Sequence, residues 1–195
     1  MHPRLPKVWL ALFVSIVLVS CQAALAEAPA EEDGPAIAAG KPLPDFELGL
    51  LNGPFNGRTT VSKSDLLGRV YLIEFWGTWC GPCIAEIPKI HEVWDKYKGQ
   101  GFQVLSLAVD SSPLKVLKYI NDEGSMPWLH HYVEDGFQSE LLETFEVSRY
   151  PRLILVGADG NIVTTEGLRD ELMDTVGKAL AEPTVSASSE APASP

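Results

Sequence analysis

Between residues 42 and 182 the apolar positions change period several times, from near-continuous runs to steps of three and four. VYLIEFW at 70–76 is rich in β-formers and broken only by Glu74, which predicts a central strand covered on both faces. From Ile84 to Lys98, residues Ile84, Ile87, Ile90, Val93, Trp94 and Tyr97 recur at helical spacing, and Pro88 within the pattern predicts a kink. FQVLSLAVD at 102–110 reads as a second central strand. Ser112 before Pro113 then predicts a capped helix running to Asn121. WLHHYVED at 128–135 gives a third strand and SELLETFEV at 139–147 a short helix. Arg152 to Val156 and Ile162 to Thr165 form a hairpin around Asp159-Gly160-Asn161. A last helix spans Leu168 to Leu180, with Leu172, Met173, Val176 and Leu180 on one face. Ahead of all these, Phe46 to Val61 carries two Asn-Gly turn signals between apolar runs and predicts a further hairpin. The order β-α-β-α-β-α-β-β-α implies an α/β fold, a mixed central sheet with helices on both faces.

The ends obey other rules. Arg4 and Lys7 precede an unbroken apolar stretch from Val8 to Val19, the grammar of an export signal. Leu18-Val19-Ser20-Cys21 resembles a bacterial lipobox, in which Cys21 would be lipidated as the first residue of the mature chain. Ala24-Leu25-Ala26 fits ordinary signal-peptidase cleavage instead, and an uncleaved anchor is a third option. The lipobox reading is preferred because it accounts for the odd third cysteine. Each option carries the domain out of the bacterial cytoplasm to the periplasmic side. The expected organisation is a signal peptide at 1–20, a flexible Ala/Pro/acid-rich linker at 21–41, one domain at 42–182 and a disordered tail at 183–195. At 195 residues, 46% of them hydrophobic, the chain supplies one good core. Its formal charge of -11 argues against a nucleic-acid partner, since phosphate binding requires clustered Lys and Arg.

WGTWCGPC at 76–83 holds the candidate chemistry, Cys80 and Cys83 separated by Gly81 and Pro82. A CxxC pair can be a staple, a metal clamp or a redox couple. So short a loop adds little as a staple, and an exported chain tolerates one. Zinc would need two further ligands at metal spacing, and none is apparent. Haem attachment would need His after Cys83, where Ile84 stands. Placed at the start of the helix, Cys80 would gain from unpaired N–H groups and the helix dipole. Its thiolate would be the favoured nucleophile and Cys83 the resolving thiol.

A strand, WCGPC, a helix holding a proline, a second strand, and later an X-Pro before a terminal hairpin and helix together resemble thioredoxin. The segment Ser112 to Val133, Pro44-Asp45-Phe46 and FWGTWCGPCIAEIP resemble the extracytoplasmic TlpA/ResA-like branch, over about residues 42 to 181. The resemblance implies a thiol-disulfide oxidoreductase that reduces protein disulfides through a Cys80–Cys83 dithiol, without cofactor or metal. Glu74 then matches a buried acid that relays a proton to the resolving cysteine. Tyr150-Pro151 matches a cis-proline whose loop docks substrate, with Trp79, Gly81, Pro82 and Arg152 around it. Tyr150 and Arg152 depart from the Val or Thr and the Thr common in the family. Implied partners are protein disulfide or dithiol substrates, a membrane electron donor and, through lipid on Cys21, the membrane. Two rivals remain. A peroxiredoxin-like peroxide reductase would use Arg152 but lacks that group's Thr three before the cysteine, where Gly77 stands. A copper-binding module would need wider cysteine spacing. Trp76 is expected in the core, Trp79 on an exposed rim and His91 in solvent, while at most one of His130 and His131 can face the site.

Overall fold

The computed structural model describes residues 36–182. The first elements are β1 (Glu47–Gly49) and β2 (Thr60–Ser62), antiparallel partners in a small sheet of their own. Phe55 and Arg58 bridge at its tip, where Asn56 and Gly57 both take positive φ, the turn that Asn-Gly accommodates. α1 (Lys63–Leu66) follows.

The main sheet comprises β3 (Val70–Trp76), β4 (Phe102–Ala108), β5 (Leu129–Tyr132), β6 (Arg152–Val156) and β7 (Ile162–Thr164). Its order is β5-β4-β3-β6-β7; β3, β4 and β5 run parallel, and the β6–β7 hairpin joins β3 antiparallel. β3 lies at the centre and every residue of it is buried, as its continuous apolar run predicts.

Alternation along β3 and β4 sorts the core into two layers. Leu72, Trp76, Val104 and Ala108 face α2 (Gly81–Tyr97), α3 (Pro113–Lys118) and α5 (Leu168–Ala181). Tyr71, Ile73, Phe75, Leu105 and Leu107 face the β1–β2 hairpin, α1 and α4 (Glu140–Thr144). The expected mixed sheet flanked by helices is therefore present.

Three local expectations change. α2 passes through Pro88 as one helix, with the proline on its exposed side. Ser112 occupies the position before α3 without a side-chain capping bond, and beyond Lys118 the chain winds into a π-helical turn, Tyr119–Glu123. The tether expected over 21–41 ends early. Ile37 is buried in the core, and the backbone at Gly40 and Lys41 hydrogen-bonds Ile162, because that apolar side chain gains more from burial than from solvent. The expected signal, Cys21 and the 183–195 tail lie outside the described residues. Among the described residues no helix is long and apolar enough to cross a membrane.

Candidate redox site

β3 ends at Trp76, and the four residues to Cys80 turn the chain into α2. Gly77 is buried there, and a Cβ in its place would lie 2.7 Å from the Val109 carbonyl oxygen. Only glycine fits so close to another backbone, which also explains why no Thr can stand three before Cys80. The turn is pinned by Asp110, whose carboxylate accepts from the Thr78 amide (2.8 Å), the Thr78 hydroxyl (2.7 Å), the Ser111 amide (2.8 Å) and Lys115 Nζ (3.2 Å). Burial opposes ionisation of Asp110, but these bonds outweigh it and hold the carboxyl below its usual range.

Cys80 is the residue immediately before α2, and its Sγ accepts from the Cys83 amide at 3.3 Å. Gly81 and Pro82 form the exposed first helical positions. Proline suits that place because the N–H it lacks would have no partner there anyway. Cys80 and Cys83 are joined as a disulfide with Cα atoms 5.3 Å apart. Cys80 is 4% exposed and Cys83 fully buried, so an incoming sulfur meets Cys80 first.

Glu74 lies on the α2 side of β3, wholly buried, two residues before the strand ends. Its Oε2 accepts from Ser106 Oγ at 2.7 Å. Ser106 Oγ in turn accepts from the Trp128 indole N–H at 2.8 Å. An indole can only donate, so the single hydroxyl proton of Ser106 is committed to Glu74. Oε1 is buried without a hydrogen-bond partner, which makes it the oxygen free to carry a proton. Burial is the main cause raising Glu74 to about 7. The Ser106 bond lowers it, and the Glu86 carboxylate on α2 raises it further.

His130 stands next in the same row, opposite Ser106 in the β4–β5 register, while Ser106 is opposite Glu74. Its Nε2 faces the Met126 carbonyl at 3.2 Å, so the ring proton sits there; burial pushes the imidazole down to about 4. His131 points the other way, its Nδ1 2.8 Å from the Gly49 carbonyl. His91, expected in solvent, is half-buried instead. Its ring packs edge-on against Trp128 with centroids 4.7 Å apart, and its Nε2 bonds the Gly124 carbonyl at 3.1 Å. The large apolar face of Trp128 draws the ring out of solvent.

Trp76 is fully buried; Trp79 is 47% exposed, held by its indole N–H on the Val109 carbonyl at 2.7 Å. Tyr150-Pro151 is a cis bond, and the Tyr150 ring stands 5.3 Å from that of Trp79, the residue next to Cys80 in the chain. Arg152 opens β6 opposite Phe75.

Sequence reasoning missed Ser106, Trp128, Asp110, Thr78 and Phe137. Ser106 had a signal. It is the polar residue in the apolar stretch Val104–Ala108 of β4, two residues before the strand's end, as Glu74 is in β3. Phe137 had none, since a single aromatic in a polar turn looks like any other.

The Redoxin family model matches residues 38–179. The thiol-disulfide oxidoreductase ResA of Bacillus thuringiensis is 31% identical over 124 residues, 64% of this chain and 66% of that protein. ResA of Geobacillus kaustophilus is 32% identical over 127 residues, 65% of this chain and 68% of that protein. The crystal structure of the thioredoxin domain of a Bacteroides vulgatus thiol-disulfide oxidoreductase superposes with a TM-score of 0.64 at 26% identity, covering 73% of this chain and 98% of that domain. The family match spans residues 38–179, the relatives are 31% and 32% identical over the 124 and 127 residues they align and the fold agrees, so the chain belongs to the Redoxin family, as a TlpA/ResA-like member of the thioredoxin superfamily.

Proposed function

We propose that the chain is a thiol-disulfide oxidoreductase that reduces protein disulfides outside the cytoplasm. The observation that carries this reading is the reactive pair itself: Cys80 Sγ at the N-terminus of α2, disulfide-bonded to the buried Cys83. In the reduced enzyme the Cys80 thiolate, stabilised by helix N–H groups and the dipole, attacks one client sulfur. A mixed disulfide forms and the client's other sulfur leaves as a thiolate. Cys83 then gives up its proton and attacks Cys80 Sγ, re-forming the Cys80–Cys83 disulfide and releasing the client's second thiol. The client gains two electrons and the enzyme loses two.

Glu74 is the acceptor for the Cys83 proton. A carboxyl titrating near 7 matches a base working at neutral pH, and the free Oε1 is where the proton arrives. Trp79, Gly81, Pro82 and the Tyr150-Pro151-Arg152 loop receive the client segment. The enzyme is re-reduced by a membrane electron donor, and lipid on Cys21 holds the domain at the periplasmic face of the membrane.

The test is disulfide exchange by the purified protein with a disulfide-bonded protein substrate and dithiol, with Cys80→Ser as control. Wild type should turn over and the variant should not. Peroxide consumption without disulfide reduction, or tight Cu(I) binding by both thiols in place of turnover, would reject the reading. For the anchor, Cys21→Ser should move the protein from the membrane to the soluble fraction; unchanged fractionation rejects lipidation.

A further inference from the structure

Two unlike surfaces meet at the Tyr150-Pro151 loop. On one side Trp79, Tyr150 and Phe137 form a triangle of rings, with centroids 5.3, 5.4 and 5.9 Å apart. Trp79 is 47% and Phe137 65% exposed, and a groove of about 570 Å³ lies between them, floored by Val109 and Asp110. Phe137 is presented by a tight turn entered through Asp135 at φ 60°, so backbone geometry holds the ring out. Scattered surface apolar residues are ordinary, whereas three adjoining rings beside a reactive sulfur form a binding surface.

On the other side is a cavity of about 340 Å³ lined by Tyr150, Pro151, the first turn of α5 and three arginines. The whole chain has 15 basic residues against 26 acidic ones, yet Arg149, Arg152 and Arg169 converge here. Among the described residues Arg149 pairs with Glu166 at 4.0 Å, both side chains largely exposed, an interaction easily exchanged for another carboxylate. Arg152 has its Nε buried without a hydrogen-bond partner. Arg169 is fixed by its Nε on the buried Glu86 at 3.2 Å, which holds the side chain at the cavity. Glu166 and Asp170 line the same space, so the net positive charge is small and suits one carboxylate better than a polyanion.

We infer that the two surfaces form a bipartite docking site for an extended client segment carrying a large apolar side chain on one side of its cysteine and a carboxylate on the other. The inference rests on the oxidoreductase reading and narrows it to a substrate class. An overall acidic protein repels acidic partners, so local arginines at the reactive loop reverse that bias where contact is made.

The test uses the full chain in detergent and synthetic peptides with an internal disulfide, differing only at the flanking positions: Phe or Ser on one side, Asp or Lys on the other, in both orders. kcat/KM for reduction should favour Phe over Ser by about tenfold and Asp over Lys by about two- to fivefold. Arg149→Ala, or high salt, should erase the Asp preference and keep that for Phe; Phe137→Ala should do the reverse. Equal reduction of all peptides, or a preference for Lys, overturns this inference and leaves the oxidoreductase reading standing. Reduction of none overturns both.

Discussion

Glu74→Gln should stabilise the oxidised protein at alkaline pH and leave it nearly unchanged at acid pH. Burial raises Glu74 from the ordinary 4.5 to about 7, while the unfolded chain exposes it at the ordinary value. Between those values the folded chain keeps a proton that the unfolded chain has released, so stability falls as pH rises, by about 1.4 kcal/mol per unit. The contribution is whole below pH 4.5 and gone above about 7, a loss of roughly 3 kcal/mol. Glutamine cannot ionise, and its carbonyl oxygen can still accept from Ser106. His130 has the opposite sign. Burial lowers it from 6.5 to about 4, so its stabilising contribution is whole above 6.5 and lost as pH falls toward 4. The two groups offset each other over the window they share, so the wild-type curve alone isolates neither. Subtracting wild type from variant isolates Glu74, because His130 is common to both. Urea unfolding of the oxidised proteins across this pH range measures the difference, which should climb from near zero at about pH 4.5 to roughly 3 kcal/mol at about pH 8. A difference that does not vary with pH would refute the buried, proton-holding Glu74.

Ser106→Ala removes the bond that lowers Glu74 and strands the Trp128 indole N–H, so the Glu74 carboxyl should titrate higher by carbon-13 NMR and stability should drop by about 1–3 kcal/mol. Gly77→Ala forces a Cβ against the Val109 carbonyl oxygen, which should displace Trp79 from that oxygen, shift its fluorescence and slow client reduction. Asp110→Ala releases Thr78 and Lys115, with an expected loss of roughly 2–3 kcal/mol at neutral pH. Because Asp110 titrates below its usual 3.8, that stability is present above 3.8 and disappears as pH falls below it, so the two unfolding curves should converge in acid.

Much of the fold was legible because its signals are local. The unbroken run of β3, the periodicity of α2 and the Asn-Gly turn each act within a few residues. The cysteines and Glu74 were legible for the same reason, since one strand and one helix start position all three. What failed depends on residues far apart in sequence. His91 looks solvated until Trp128 is laid against it from 37 positions away. Ile37 looks like tether until β7 offers its edge to Gly40 and Lys41. Phe137 becomes part of a surface only once Trp79 and Tyr150 stand within ring contact. Helix and strand rules hold no information about such meetings.

Cys80 Sγ accepts the Cys83 amide proton, so one sulfur serves both as the reactive atom and as the acceptor that closes the first turn of α2. A thiolate is a far stronger acceptor than a disulfide sulfur. Gaining electrons should therefore tighten the start of the helix, and solvent exchange of the Cys83 amide should slow in the dithiol form. The backbone itself thus registers the oxidation state, and a surface that senses the first turn of α2 could tell the loaded enzyme from the discharged one.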